Sequence, residues 1–311
     1  MSDRPRVSLG MPVYNGSDFL EETLDSVLGQ TFKNFELIIC DNASTDRTSE
    51  ICKAYLAKDD RIQYHRNEVN VGAARNYNLV FEMSSGEYFK WAAHDDLMAP
   101  SYLEKCISEL DKDPNIVLCY PNTIMVDKNG EATGANPGDH LDVFAEKTHQ
   151  RLNGYLYSSH VNRKCHAVFG LIRREVLAKT GLIGAYSCSD FILLAELAMH
   201  GPFMQITDKL FFRREHPKSS VNANPSDKER NVWFDPENKK ADRLQNWVWF
   251  SEYLYAINRV EMGFLEKGLC YLQMNIWLRR NRFYILNELR SYFNNLWQKT
   301  VPSELQIKNS H

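Results

Sequence analysis

The stretch "SLGMPVYNGSDFLEETLDSVLGQTFKNFELIICD", residues 8–41, reads as strand, turn, helix and strand. A β-rich apolar run at 6–12 breaks at Pro12, a helical pattern follows over about 18–29, and a second apolar run covers 35–40. Further runs lie at 61–65, 87–92 and 116–120, with helical patterns at about 46–57, 71–84 and 100–111 between the strands. Strand–helix alternation at this spacing predicts an α/β fold, a doubly wound and mostly parallel sheet with helices on both faces. Ligands of such sheets bind beyond the carboxyl ends of the strands. Pro12, Val13, Tyr14, Asn15 and Gly16 fall at one of those ends.

Composition narrows the class. Among 311 residues, 25% are charged and 43% hydrophobic, an ordinary globular balance. A net charge of −3 gives no ground for nucleic-acid binding. Seven cysteines, none in a C-x-x-C pair, suit reduced thiols in a cytosolic protein better than a disulfide framework or a zinc site. The opening "MSDRPRVSLG" lacks a basic start followed by an apolar stretch. No uncharged apolar run approaches the ~20 residues that cross a bilayer. A cytoplasmic chain, peripheral at most to a membrane, is expected.

Beyond the first alternating half, "DKNGEATGANPGDH" (127–140) reads as a loop. A mixed part runs from about 144 to 215, with a strand near 166–172 and a helix near 189–200. From about 227 to 299 the chain is helical and aromatic. The domain reading is therefore a catalytic unit over 1–222 and a helical C-terminal region over 223–311.

Four polar stretches sit where strands end. After the opening turn, "ELIICDNASTDRT" closes a buried strand on Asp41 and Asn42; Asp46 or its Ser and Thr neighbours can cap the next helix. "NVGAARNYN" carries Arg75 in the first turns of a helix. "YFKWAAHDDLMAP" ends on His94, Asp95 and Asp96. Two adjacent carboxylates are costly to hold close without a cation between them, and Mg²⁺ or Mn²⁺ shared with substrate phosphates removes that cost. Each feature alone also has a plainer reading: turn chemistry for Asp41, a helix start for Asp95–Asp96, a solvated side chain for Arg75. The ordered set of four along one sheet edge favours a ligand site.

The sequence resembles the inverting glycosyltransferases of family 2, which have a Rossmann-like nucleotide-sugar-binding fold of the GT-A type. The resemblance is carried by "VSLGMPVYNGSDFLEETLDSVLGQTF", "FELIICDNASTDRT", "NVGAARNYNLVFEMSSGEYFKWAAHDDLMAP", "SDFILLAELAMHG" and "FRREHPKSS", in the family's order. It implies that a nucleoside-diphosphate sugar, most readily a UDP-sugar, is the donor and a saccharide or lipid-linked hydroxyl the acceptor. The nucleotide-sugar half would cover about 1–125 and the acceptor half about 126–222. Pro12, Val13, Tyr14 and Asn15 would cradle the base, Asp41 would read the uracil edge and Arg75 would lie near the diphosphate. Asp95 and Asp96, with His216, would hold Mg²⁺ or Mn²⁺. Ala93 stands where the family's Asp-x-Asp motif begins, so His94 would supply a nucleotide contact there. Asp190 would be the base that accepts the acceptor proton, with Ser189 in place of the family's usual Glu. A helix cap is the rival reading of Asp190.

Between Lys239 and Lys299, ten Lys and Arg face five Asp and Glu, and "WLRRNRFY" (277–284) sets three arginines among aromatics. Such a helix can lie on an anionic membrane. The plainer reading packs its aromatics on the catalytic unit or in a homodimer, and takes precedence because amphipathic helices usually face a core. Two further readings compete with the transferase: a nucleotide-sugar-binding scaffold without activity, prompted by Ala93 and Ser189, and a nucleotidyltransferase. The second lacks support because "MPVYNGSDF" carries no Lys or Arg.

Overall fold

A computed structural model describes residues 4–134, 140–158, 166–237 and 244–300. β1 (Val7–Val13) leads through α1 (Leu20–Leu28) to β2 (Phe35–Asp41), then α2 (Thr48–Leu56) and β3 (Ile62–Arg66). α3 (Ala73–Glu82) crosses back to β4 (Tyr88–Trp91), which pairs with the opposite edge of β1. After β5 (Leu97–Met98) and α4 (Tyr102–Lys112) come β6 (Leu118–Val126), α5 (Thr148–Tyr157), β7 (Leu171–Arg173) and α6 (Arg174–Leu177). α7 (Ser189–His200) precedes β8 (Phe203–Arg214), followed by α8 (Ser220–Ala223), α9 (Asp227–Phe234), α10 (Gln245–Arg259) and α11 (Phe264–Thr300).

The eight strands form one sheet in the order β3-β2-β1-β4-β7-β6-β8-β5. Pairing is parallel from β3 to β4 and between β6 and β8; β7 runs antiparallel to both neighbours, and β5 to β8. The predicted α/β class and doubly wound sheet are therefore present. Successive strand residues serve opposite faces, as the two-residue period requires. Leu37 and Ile39 join a core with Leu20, Leu24 and Leu103, whereas Ile38 and Cys40 join one with Val80, Leu193 and Leu197. With both faces covered, β1 and β2 read as near-continuous apolar runs. Gly10 keeps α3 close, because a Cβ there would lie 2.7 Å from Val80 Cγ2 and 2.8 Å from Phe89 Cζ.

Three local expectations change. The strand expected near 166–172 is a 3₁₀ turn at 166–169 followed by β7. The chain turns there because the Phe169 carbonyl accepts hydrogen bonds from the buried Lys90 ammonium and from Tyr102 Oη. β8 was not legible as a strand: Gln205, Thr207, Asp208 and Lys209 break its apolar run, and its pairing with β6 shifts register beside them. The loop over 127–140 is a tight Asp127–Gly130 turn closing a bridge between Val126 and Ala132; residues 135–139 fall outside the described set. Cys165 also falls outside it, and the six described cysteines are free thiols. α10 and α11 share a core with α5 and α7 through Tyr253, Ile257, Cys270 and Met274.

Candidate active site

The order in which successive strands are added reverses between β1 and β4, the place where doubly wound sheets bind ligands. β1 ends in a turn whose Asn15 has φ 51°, and this turn is tied to the one after β2. Asn15 N donates to Ser44 Oγ (2.9 Å), Gly16 N to Thr48 Oγ1 (2.9 Å) and Ser17 N to Asp46 Oδ2 (3.1 Å). Asp46 also accepts from Thr48 N, as expected of a residue opening α2. Burial opposes its ionisation, but the Thr48 and Ser17 bonds hold it down to about 2. His94 packs so closely on Gly16 that a Cβ there would sit 2.6 Å from His94 Cδ2.

Three adjoining cavities open from this crevice. The first, about 330 Å³, is lined by Tyr14, Asn15, His94, Asp95, Asp96 and Arg213, among others. The second, about 80 Å³, lies under Pro12, Val13, Tyr14 and His94 and is floored by Asn42, Asn70 and Asn76. Those asparagines form a network: Asn42 Nδ2 donates to Asn70 Oδ1 (2.8 Å), Asn67 Nδ2 to Asn42 Oδ1 (3.0 Å) and Asn76 Nδ2 to the Cys40 carbonyl (2.8 Å). The third, about 460 Å³, has mainly apolar walls from Val168, Phe169, Ile183, Phe191 and Phe234, with Asp190 among them. Tyr77 and Trp233 line all three.

The carboxylates of the first cavity are held by β8 and the turn after it. Asp95 Oδ2 meets His216 Nε2 at 2.9 Å, and Asp96 Oδ1 accepts from Arg214 N at 2.9 Å. Arg214 itself is buried, bonding the Asp95 carbonyl (3.0 Å) and Glu22 Oε2 (2.6 Å). Burial opposes ionisation of Asp95, yet His94 and His216 hold it below the usual carboxylate range. Burial, reinforced by the charge of Asp95, pushes Asp96 up to about 7. Among the described residues no three His, Cys, Asp or Glu side chains form a ready-made metal cage, and His216 meets Asp95 as a hydrogen-bond partner. Mg²⁺ seldom uses a full protein cage; one or two carboxylates plus substrate phosphates are its usual set, and Asp95 with Asp96 fit that requirement.

Asp190 lies in the first turn of α7, one residue inside its start, and the N-cap position is Cys188, with φ 60°. Cys188 at the N-cap position makes no side-chain cap, and the Asp190 carboxyl instead draws on the N–H groups of Asp190 and Phe191 in the first turn, as the capping reading also expects. Ser189 Oγ is buried without a hydrogen-bond partner. Burial pushes the Asp190 carboxyl up to about 6, against the pull of the first-turn N–H groups and of Arg213.

Two further predicted residues are engaged by protein partners. Asp41 is fully buried: Oδ1 accepts from Ser44 N (2.8 Å), and Oδ2 accepts from Tyr64 Oη (2.8 Å) and pairs with Arg66. These bonds tie the end of β3 and the turn after β2 to the end of β2. Arg75 points from α3 to an ion pair with Glu82, two turns on, and lines none of the three cavities. Arg213, Tyr77 and Trp233 were missed by sequence reasoning. Arg213 lay inside a quoted motif, and the capping box formed by Ser226 and Glu229 marks the start of the helix that carries Trp233.

Residues 8–181 match the family described as "Glycosyl transferase family 2". An uncharacterized glycosyltransferase of Rickettsia bellii is 39% identical over 129 residues, 41% of this chain and 18% of that protein. The chain thus spans well under two thirds of that relative. Among solved structures, S. aureus TarS 1–349 in complex with UDP has a TM-score of 0.62 at 15% identity, covering 97% of this chain and 77% of that one. Mannosyltransferase PcManGT from Pyrobaculum calidifontis, in complex with GDP-Man and Mn²⁺, has a TM-score of 0.51 at 16% identity, over 96% and 89%. At such identities the likeness is one of fold.

Proposed function

The chain belongs to glycosyl transferase family 2, and on that premise we propose that it transfers a sugar, with inversion, from a UDP-sugar to an acceptor hydroxyl. One observation carries this reading: the apolar cavity holding Asp190 adjoins the cleft holding Asp95 and Asp96, and the two share Tyr77, Phe169, Arg213 and Trp233. Donor and acceptor can therefore meet with a buried carboxyl on the acceptor side.

The nucleotide base would lie against Pro12, Val13 and Tyr14, over the asparagine floor, with Asn15 and Asp41 holding the two turns that shape the pocket. Asp95 and Asp96, the former steadied by His216, would hold Mg²⁺ or Mn²⁺, which when bound neutralises the charge of the departing diphosphate. Asp190 accepts the acceptor O–H proton as that oxygen forms its bond to the anomeric carbon and the bond to the diphosphate breaks. Burial favours that chemistry, because it brings the Asp190 pKa towards the pH at which a base works best. Aromatic walls exclude water that would otherwise compete as acceptor. They also suit the apolar face of a saccharide ring or of a lipid-linked acceptor.

Calorimetric titration with UDP, GDP and dTDP, each with and without Mn²⁺, tests the donor half. UDP-selective, metal-dependent binding that disappears in Asp95→Ala is the expected result. Failure of every nucleotide to bind overturns the reading.

A further inference from the structure

α11 is 37 residues long, about 55 Å of continuous helix, and it has two apolar faces. The inner one, with Cys270, Met274 and Ile285, is buried on α5 and α10. The outer one follows a different rule. Taken from Leu265 to Trp297 in alternating steps of four and three, every position is apolar except Arg279 and Arg290. This is the 3.5-residue period of a coiled-coil seam, sustained over more than four heptads. Leu269 is half-buried and the other apolar positions are exposed: Leu265 is 75% exposed, Leu272 54%, Phe283 64%, Phe293 61% and Trp297 61%.

We propose that this outer face of α11 is a dimerisation seam that pairs antiparallel with α11 of a second copy of this chain. Exposed apolar side chains of this size offer on the order of 100 Å² each. The seven exposed ones, with half-buried Leu269, approach the ~800 Å² per partner that a stable interface needs. Charge selects the direction. A parallel, in-register pair would set Arg279 against Arg279 and Arg290 against Arg290, and like charges facing in a seam are unfavourable. An antiparallel pair centred on residue 281 sets Arg279 over Phe283, a cation–π contact, and Arg290 against Leu272. The remaining layers become Leu265 on Trp297, Leu269 on Phe293 and Ile276 on Leu286, so all ten positions meet another seam position. The contact is isologous, as a two-fold dimer requires.

Light scattering on the full chain, eluted from a sizing column, should give twice the 36.1 kDa chain mass. The Leu272→Glu/Phe283→Glu variant should give 36.1 kDa and still unfold cooperatively, since both side chains face outward, with a melting point that no longer depends on concentration. Under oxidation, Ile276→Cys with Leu286→Cys in one chain should cross-link two copies, whereas Ile276→Cys alone should not. A monomer at every concentration overturns the proposal, and so does a dimer that survives the two glutamates. Cross-linking by Ile276→Cys alone overturns the antiparallel register. Pelleting of a monomer with anionic vesicles, lost in the double variant, would assign the face to lipid and equally overturn the dimer.

Discussion

The Asp95–Asp96 cleft and the Asp190 cavity sit side by side and treat the same side chain in opposite ways. All three carboxyls are withdrawn from solvent, and burial pushes each towards the neutral form. In the cleft, two histidines keep Asp95 charged while its neighbour Asp96 is driven up to about 7. In the apolar cavity, only Arg213 and the helix start oppose burial, and Asp190 rises to about 6. The cleft keeps a fixed negative charge on Asp95; the cavity makes the Asp190 carboxylate more basic. Desolvation is common to both, and the partners decide the outcome.

The strongest way to break this comparison is Asp190→Asn. If Asp190 is the base, turnover falls by about 10²–10⁴-fold while UDP affinity by calorimetry stays the same. Unchanged turnover would remove Asp190 from catalysis. The same variant has a second readout. A carboxyl raised from 3.8 to about 6 in the folded state costs stability as pH climbs through that window. The Asn variant should therefore melt higher than wild type above pH 6, and an equal or lower melting point would show that Asp190 carries no burial penalty.

His216→Ala tests the cleft. With the Asp95 partner gone, metal-dependent UDP affinity should weaken by about 10–100-fold, the usual worth of a group that orients a metal-binding side chain. Affinity within twofold of wild type would mean that Asp95 holds its position unaided.

The pH profile links the two regions. Log kcat/KM should fall by about one per pH unit below about 6, where Asp190 becomes protonated. Because Arg213 favours the charged form, Arg213→Met should move the break to higher pH. A break that stays in place would show that Arg213 does not act on Asp190.

A last test lies outside the site and concerns Lys90, a fully buried cation beneath Phe169 whose pKa burial pushes down to about 7. The folded chain releases this proton before the unfolded one does, so Lys90 adds stability as pH rises from 7 towards 10.5. Urea unfolding of Lys90→Met across that window should show a flatter pH dependence than wild type. Parallel curves would mean that Lys90 titrates normally.

Much of the framework was legible in the chain. The runs at 6–12 and 35–40 became β1 and β2 with no end displaced by more than one residue. A strand buried on both faces must be apolar at nearly every position, and a helix on such a sheet must repeat Leu20, Leu24 and Val27 on one side. Strand ends were equally plain, because polar residues interrupt an apolar run only where the chain leaves the core. β8 failed this test: its middle is exposed, so Asp208 and Lys209 interrupt the pattern inside a strand.

Local sequence thus determined the doubly wound sheet and marked the polar strand end with Asp95 and Asp96, whereas Asp190 stood out only through the family resemblance. It also contained the four-and-three spacing of α11. Only the tertiary structure decided what stands beside each group. His216 reaches Asp95 from 121 residues away, Arg213 comes from a strand that the sequence did not announce, and Trp233 comes from a helix beyond both. It likewise turned Arg75 outward to Glu82, enclosed Asp41 among Ser44, Tyr64 and Arg66, and left the α11 seam facing solvent. The physical reason is that periodicity records which side of an element is buried, whereas a carboxyl's charge depends on desolvation and on neighbours that reach it through space.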